Sequence, residues 1–257
     1  MVPAERTSLA AQWWRAWTRP ALGLLYPAAC VCCGDEFDEH PPEPLVCQQC
    51  FEGIASGYVN ACPRCAMPLA GAPGQAMACA ECHHRRHRFE AATAVGKYEG
   101  TLRHLVLREK SGADDALALA LGDLLCQRLA DLPAAQRPEA VVPVPVPYVR
   151  RLLRAANVAD ILSEVVAHRL DLPRLPGVLR YRRMVRKQSS LTVARRRRNI
   201  HKAMAATEEF DLRGVRLLVV DDVLTTGATA DEVARALLAA GAQAISVAVV
   251  ARGIGFD

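Results

Sequence analysis

The sequence predicts an α/β protein in which a parallel sheet with flanking helices follows a small cysteine-rich module. After residue 90, apolar runs of strand length alternate with helical segments, a series that builds a parallel sheet covered by helices. Nine of the ten cysteines lie before residue 83. The 257 residues, 51% hydrophobic and 23% charged, suit a globular chain with one large domain and an appendage. This composition excludes the disordered, collagen-like and coiled-coil classes.

The elements of the sheet domain follow from apolar patterning. Residues 217–220 form a continuous apolar run, which is typical of a central strand buried on both faces. The patterns predict strands at 91–98, 141–146, 178–181, 215–220 and 244–250, and helices at 115–130, 151–170 and 228–240. In a sheet of this kind, ligands bind at the carboxyl ends of the strands.

The cysteines form an internal repeat with a constant offset of 32 residues. Both copies read C-x2-C-x13-C-x2-C, and two Cys-x-x-Cys turns can present four thiolates tetrahedrally to a structural Zn²⁺. We therefore predict two structural zinc ions. The ligands are Cys30, Cys33, Cys47 and Cys50 in the first copy and Cys62, Cys65, Cys79 and Cys82 in the second. The spacing allows sequential pairing within each copy or crossed pairing between the first halves of the two copies.

Three further groups lie near these cysteines. Cys32 adds a spare thiol beside the first Cys-x-x-Cys turn. His83, His84 and His87 are alternative ligands by chemistry, but surface positions are the favoured prediction for them. Residues 1–26 predict an amphipathic helix that carries its tryptophans on one face. We expect this face to pack on the protein, because one short, weakly basic helix anchors poorly to a membrane alone.

The expected location is the cytoplasm, and the protein is not expected to be an integral membrane protein. Arg15 and Arg19 interrupt the apolar stretch that a secretory signal would need, and no apolar run of about 18 residues occurs. Paired cysteines in the reducing cytosol are more often metal ligands than disulfides. A peripheral position at the inner face of the membrane is compatible with this prediction.

The net charge of +5 is a sum of unlike parts. Residues 180–202 contain ten Lys or Arg and no Asp or Glu, so the rest of the chain carries a net charge of −5. Ten like charges repel one another, and holding them together is costly without an anionic partner. Polyphosphate and a nucleic-acid backbone are both candidates for that partner.

The strongest local motif spans residues 219–229. A buried strand leads to Asp221 and Asp222, whose carboxylates can accept hydrogen bonds from sugar hydroxyls. A small, hydroxyl-rich turn then opens a helix, and its backbone N–H groups form an anion nest. The residues of this turn and of the helix start are Thr225, Thr226, Gly227, Ala228 and Thr229. A ribose 5-phosphate fits such a strand, turn and helix.

These eleven residues resemble the 5-phosphoribosyl 1-pyrophosphate (PRPP) motif of type I phosphoribosyltransferases. The rival interpretation, a Walker B strand, lacks its G-x-x-x-x-G-K-[ST] loop anywhere in the chain. The resemblance implies a phosphoribosyltransferase-like fold, Mg²⁺ bound with PRPP, and acidic residues that hold the ribose. It also implies contacts to PRPP from Pro145 and Arg150, while Arg195 and Arg198 would stabilise charge during catalysis.

The wider sequence resembles the ComF family, in which a double zinc ribbon precedes such a domain. Lys110, which begins Lys-Ser-Gly, and the Gln-x-x-Leu and Arg-x-x-Asn patterns at 188–199 carry this resemblance, which also implies a PRPP contact for Lys110. The implied domains are an N-terminal helix at 1–26, a double zinc ribbon at 27–88 and a phosphoribosyltransferase-like domain at 89–257.

The resemblance implies a role in natural transformation, the uptake and processing of single-stranded DNA. Its implied partners are PRPP or a related ribose phosphate, single-stranded DNA, and DNA-uptake proteins such as a competence helicase. Two alternatives stay open: an active phosphoribosyltransferase of unknown acceptor outside DNA uptake, and a zinc-ribbon interaction module with a vestigial PRPP site. The sequence leaves turnover undecided.

Overall fold

The computed structural model describes residues 27–37, 41–55, 58, 60–70, 79–110, 114–130, 132, 136–147, 158–185 and 193–254. The predicted N-terminal helix at 1–26 lies outside these residues. The helices within them are α1 (Gln48–Ala55), α2 (Ala80–His84), α3 (Gly100–Lys110), α4 (Asp115–Leu129), α5 (Val158–Leu170), α6 (Val193–Ile200) and α7 (Ala228–Ala239). The strands are β1 (Ala91–Lys97), β2 (Ala140–Pro143), β3 (Leu179–Tyr181), β4 (Met204–Ala206), β5 (Arg216–Leu224) and β6 (Ala244–Arg252).

Four of the strands form one parallel sheet in the order β1-β6-β5-β2. In the register of this sheet, Val219 of β5 lies between Val142 of β2 and Val247 of β6. All three side chains are buried, as the continuous apolar run predicts. The prediction of a parallel sheet with flanking helices is confirmed.

Helices cover both faces of this sheet, and successive residues of β5 point to opposite layers. Leu217 and Val219 pack in the layer that contains α7 and the β3-β4 pair. Leu218 and Val220 pack in the layer that contains α3, α4 and α5. Two apolar cores on either side of a central sheet therefore hold the carboxyl end of β5 in place.

Several element bounds differ from the prediction. The strand predicted at 178–181 forms β3, but it pairs antiparallel with β4 in a separate two-stranded sheet. β5 continues through both aspartates to Leu224, because Val223 and Leu224 remain paired with β6. β2 ends at Pro143, since prolines at 143 and 145 cannot donate to a ladder. The predicted helix start at 151 lies outside the described residues, and α5 is described from Val158.

The cysteine-rich module meets the sheet at its edge strand β1 and divides between the two layers. Val46 and Ile54, beside the first cysteine copy, pack in the α3-α4-α5 layer. Tyr58 and Phe89, which flank the second copy, and Ala66, which lies within it, pack in the α7 layer. The two copies therefore dock on opposite faces of the sheet.

Close backbone contacts secure both dockings. A Cβ at Gly96 of β1 would lie 2.6 Å from the carbonyl oxygen of Ile54, so only glycine lets α1 approach this closely. On the second copy, the N–H of Ala92 donates to the carbonyl of Pro63 at 3.1 Å. Among the described residues, no helix has the length and apolarity needed to cross a bilayer.

Candidate metal and ribose-phosphate sites

The eight repeat cysteines form two clusters, each made of one copy of the repeat. In each cluster the four Sγ atoms lie within 4.8 Å of one another. The first cluster contains Cys30, Cys33, Cys47 and Cys50, and the second contains Cys62, Cys65, Cys79 and Cys82. The pairing is therefore sequential, and all eight are free cysteines rather than disulfides.

The geometry of both clusters fits zinc. Tetrahedral Zn²⁺ with Zn–S bonds of about 2.3 Å places its sulfurs about 3.8 Å apart. The Sγ atoms of Cys33 and Cys47 are 3.8 Å apart, and those of Cys62 and Cys82 are 3.9 Å apart. Each cluster can hold one structural zinc ion.

Cys32 and the histidines stand outside these ligand sets. Cys32 packs beside the α3-α4-α5 core, where burial raises the pKa of its thiol to about 12. His83 is exposed, as predicted, and the side chain of His84 lies outside the described atoms. The predicted surface position of His87 is wrong, because this residue is 7% exposed and stacks on Phe89 with ring centroids 4.6 Å apart.

The predicted ribose-phosphate motif forms the end of β5, a tight turn and the start of α7. Gly227 is the N-cap of α7 with φ of +72°, a left-handed conformation that favours glycine. A Cβ at this position would lie 2.9 Å from Cε1 of His87. Because glycine has no side chain to cap the helix, it leaves first-turn N–H groups to a ligand. Thr226 is buried, and its Oγ1 accepts a bond of 3.4 Å from the N–H of Ala228.

Two aspartates near the end of β5 provide the carboxyl groups of this site. Burial and the neighbouring charge of Asp222 raise the pKa of Asp221 to about 8. Lys110, the last residue of α3, places its Nζ 2.8 Å from Oδ2 of Asp222. The structure thus brings the predicted lysine and the predicted acidic pair together.

The other predicted PRPP residues are only partly described. The N–H of Val144 donates to the carbonyl of Val220 at 3.0 Å, so Pro145 follows β2 beside the end of β5. Arg150 lies outside the described residues. Arg195 and Arg198 are exposed on α6, which packs against α7.

One residue of this region, Arg252 at the end of β6, escaped the sequence analysis. Its side chain is 3% exposed, and its Nε donates to the carbonyl of Cys65 at 2.8 Å. Nη1 donates to the carbonyl of Leu224 at 3.0 Å and to that of Thr225, and Nη2 pairs with Oε2 of Glu81 at 3.1 Å. A basic residue that ends an apolar strand is the only sequence pattern that could have indicated it.

A second contact joins the chain after the second cluster to the start of α7. The backbone N–H of Arg88 donates to Oδ1 of Asp231 at 2.7 Å, and its Nη1 pairs with Oδ2 at 2.8 Å. Arg64, inside the second copy, donates to the carbonyl of His87 at 2.9 Å. The second cluster is therefore connected to the end of β5 through Arg252, and to the start of α7 through the chain that follows its last cysteine.

Several known proteins are similar to this chain. The phosphoribosyl transferase domain family matches residues 117–255 of the chain. "DNA utilization protein YhgH" of Salmonella typhi is 30% identical over 208 residues, which cover 79% of this chain and 88% of that protein. "Competence protein F" of Haemophilus influenzae is 29% identical over 209 residues, with 78% and 90% covered. A purine phosphoribosyltransferase structure from Pyrococcus horikoshii is 20% identical, covers 51% of this chain and 73% of its own, and has a TM-score of 0.34.

The sheet, its acidic strand end and the matched residues define a phosphoribosyltransferase-type domain that follows two four-cysteine clusters. Within that class, the chain belongs to the ComF family, together with Competence protein F and DNA utilization protein YhgH.

Proposed function

We propose that this protein binds PRPP with Mg²⁺ at residues 221–229 and acts in the uptake or processing of single-stranded DNA during natural transformation. One observation carries the binding proposal. Asp221 and Asp222 lie near the end of the buried strand β5, which leads through a short turn to a left-handed Gly227 at a helix start, and Lys110 pairs with Asp222. This arrangement offers acceptors for sugar hydroxyls, donors for a phosphate and a cation for a diphosphate.

Each group has a defined role in this proposal. The two aspartates accept hydrogen bonds from the ribose hydroxyls, and the turn holds the 5-phosphate with its N–H groups and the hydroxyls of Thr225 and Thr229. Lys110 leaves Asp222 and contacts the diphosphate, and the family resemblance assigns further PRPP contacts to Pro145 and Arg150. Mg²⁺, when bound with PRPP, would neutralise diphosphate charge and favour its departure as a leaving group.

The role in DNA uptake is supported by the names of the relatives and by the charge of α6. Competence and DNA utilization are the functions in those names. Arg195, Arg197 and Arg198 are exposed on α6, and the sequence of that helix contains no acidic residue. Such a surface suits either a DNA backbone or the diphosphate of PRPP. The proposed partners are therefore PRPP, single-stranded DNA and DNA-uptake proteins such as a competence helicase, in the cytoplasm at the inner face of the membrane.

A thermal-shift titration with Mg-PRPP tests the binding site. At a ligand concentration of about 100 times Kd, the stabilisation is about 2.7 kcal/mol, or a rise in Tm of roughly 5–10 °C. We expect the double variant Asp221→Asn, Asp222→Asn to lose this rise, whereas Asp123→Asn keeps it. Asp123 is a matched control because it pairs with Arg169 on the α4-α5 surface, away from the motif. An equal rise in all three proteins would refute the site.

A salt titration of single-stranded DNA tests the basic helix. We expect replacement of Arg195 and Arg198 by Gln to reduce the log–log salt slope by about 1.4, which corresponds to two lost phosphate contacts. The matched control replaces Arg103 and Arg213, two exposed arginines outside the 180–202 segment, and should leave the slope unchanged. Equal slopes for all three proteins would remove α6 from the DNA contact.

Transformation frequency tests the cellular role of the ribose-phosphate site. A strain that carries the double aspartate variant should lose transformation, while the Asp123→Asn strain keeps it. Wild-type frequency in both strains would separate the ribose-phosphate site from DNA uptake.

A further inference from the structure

Arg252 connects the second cysteine cluster directly to the turn that precedes α7. Its guanidinium donates to the carbonyl of Cys65, a cluster ligand, and to the carbonyls of Leu224 and Thr225 at the end of β5. It also pairs with Glu81. One rigid side chain thus holds atoms from two parts of the fold that are far apart in sequence.

The burial of Arg252 makes these contacts obligatory. With 3% of its side chain exposed, water cannot replace a lost acceptor, and an unmatched buried charge is costly. Arginine presents five N–H donors in a fixed planar fork, so the positions of its acceptors are coupled to one another. Displacement of the cluster backbone must therefore displace the turn, or leave donors unmatched.

Two groups of the second cluster accept hydrogen bonds from Arg252, and the positions of both depend on the folded state of that cluster. The carbonyl of Cys65 belongs to a ligand residue, and Glu81 lies between the ligands Cys79 and Cys82 on the short helix α2. A five-residue helix is too short to persist alone, so its position depends on the metal and on packing. Zinc in the second cluster would hold Glu81 and the Cys65 carbonyl where Arg252 needs them.

The chain that leaves the second cluster contacts the other side of the same turn. The ring of His87 lies against Gly227, and Arg88 makes two bonds to Asp231 in the first turn of α7. The turn is therefore held on its β5 side by Arg252 and on its α7 side by residues 87 and 88.

We infer that Arg252 is a positioning residue that couples the second cysteine cluster to the phosphate-binding turn, so that zinc in this cluster tightens the binding of PRPP. The inference rests on the proposed function of the turn. Because thermodynamic coupling is reciprocal, PRPP must also tighten the retention of the second zinc ion by the same factor.

The first cluster provides an internal reference. It reaches α3 through Arg108, which donates to the carbonyls of Val31 and Cys32, but the Arg108 side chain is 40% exposed. Water can replace acceptors lost at such a position, so coupling through Arg108 is weak. The first zinc ion should therefore respond much less to PRPP than the second.

Two full-chain variants test the coupling, with a matched control. Arg252→Lys keeps the charge but loses the planar fork, and Glu81→Gln keeps the side-chain shape but loses the carboxylate charge. Arg108→Lys makes the corresponding change at the first cluster. We expect zinc content to stay at two per chain in all three, while Arg252→Lys and Glu81→Gln weaken PRPP binding by about 5-fold or more in calorimetric titration. Arg108→Lys should bind PRPP within about 2-fold of wild type.

Zinc release gives the readout that a merely structural role would not change. In buffer with constant Mg²⁺, a zinc-selective chromogenic chelator reports the release of each ion with and without PRPP. We expect PRPP to slow release from the second cluster in the wild-type protein, and to lose this effect in Glu81→Gln. Release from the first cluster should be unaffected by PRPP. Cys33→Ser and Cys65→Ser, each lacking one zinc ion, assign the two release phases.

The outcomes separate this inference from the proposed function. Absence of PRPP binding by the wild-type protein would overturn both. Wild-type binding with unchanged affinity in Glu81→Gln and in any folded Arg252→Lys protein would overturn the coupling alone. Equal retardation of both zinc phases by PRPP would likewise overturn it. If Arg252→Lys fails to fold, Glu81→Gln carries the test.

Discussion

The two cysteine clusters have identical ligand spacing and opposite surroundings. All four cysteines of the second cluster are buried, between 0% and 9% exposed, and the cluster docks on the layer that contains α7. In the first cluster Cys33 is exposed and Cys47 and Cys50 are half-buried, and the cluster docks on the layer of α3, α4 and α5. The sequence repeat therefore predicts the same metal ligands for both clusters. The layer on which each cluster docks determines which part of the sheet domain its metal ion would stabilise.

The contrast extends to the arginine that attaches each cluster to the sheet domain. Arg252 is buried and donates to the turn that precedes α7, whereas Arg108 is partly exposed on α3. Exposed ion pairs contribute about 0–1 kcal/mol, but the loss of one partner from a buried pair costs about 3–5 kcal/mol. The two arginines attach clusters of identical ligand spacing. Their contributions to the free energy of unfolding are nevertheless expected to differ several-fold.

Removal of zinc should show the largest difference between the clusters. We expect a chelator to remove the zinc ion of the first cluster quickly and that of the second cluster slowly, because thiolates at the surface are accessible without local unfolding. Each difference of about 1.4 kcal/mol in the free energy of local opening separates the two rates by a further factor of about ten. Colorimetric zinc release from the full chain checks this, and Cys33→Ser should remove the fast phase. A single phase for both ions would contradict the comparison.

Truncation of the two arginines should give the next largest effect. Arg252→Ala is expected to lower the free energy of unfolding by about 3–5 kcal/mol, since it leaves the carbonyls of Cys65, Leu224 and Thr225 without their buried donor. Arg108→Ala should cost about 1 kcal/mol or less. Urea unfolding of both variants measures these values. Similar losses would mean that burial does not distinguish the two attachments.

Two left-handed glycines allow a smaller, matched comparison. Gly34 beside the first cluster has φ of +85° and open space around a Cβ, whereas a Cβ at Gly227 would meet the ring of His87 at 2.9 Å. Gly34→Ala should cost about 1–2 kcal/mol from backbone strain alone. Gly227→Ala should cost about 1 kcal/mol more because of the steric contact.

Urea unfolding measures both glycine variants, and a double-mutant cycle with His87→Ala isolates the contact. The excess cost of Gly227→Ala should disappear when His87 is also replaced. Equal costs for both glycines would show that the ring moves aside freely.

The pH dependence of stability tests the turn that the second cluster supports. The pKa of Asp221 rises to about 8 through burial and the charge of Asp222. Between about pH 4 and pH 8, the folded carboxyl retains a proton that the unfolded chain has lost, so this group's contribution to stability falls as pH rises. Loss of zinc from either cluster acts in the opposite direction, because protons compete for the thiolates at low pH.

Urea unfolding across this range therefore compares Asp221→Asn with the wild-type protein at equal zinc content. The variant should gain stability relative to wild type as pH rises from 5 to 8, by about 1 kcal/mol or more. Asp123→Asn should show no such gain. A flat difference would place the pKa of Asp221 near its ordinary value.

The predicted parts of the fold and site are those that depend on local pattern. The apolar run of β5, the turn at Gly227 and the ligand spacing of the cysteines each lie within a short window of sequence. The β3-β4 pair, the extension of β5 to Leu224 and the burial of His87 depend on neighbours distant in the chain. Lys110 was placed near the acidic pair by family resemblance rather than by pattern. Arg252 was missed, because its function depends on acceptors up to 187 residues away.

The docking of both clusters beside β1 also bears on the solubility of the folded chain. β1 is an edge of the parallel sheet, and its residues are mostly apolar. An uncovered edge of this kind presents unpaired N–H and C=O groups to other molecules and promotes strand addition between chains. The cysteine modules cover that edge, and the Pro63 carbonyl accepts the N–H of Ala92 there. Loss of metal would therefore expose the unpaired edge of β1. A metal-depleted chain would self-associate through this edge before its sheet unfolds.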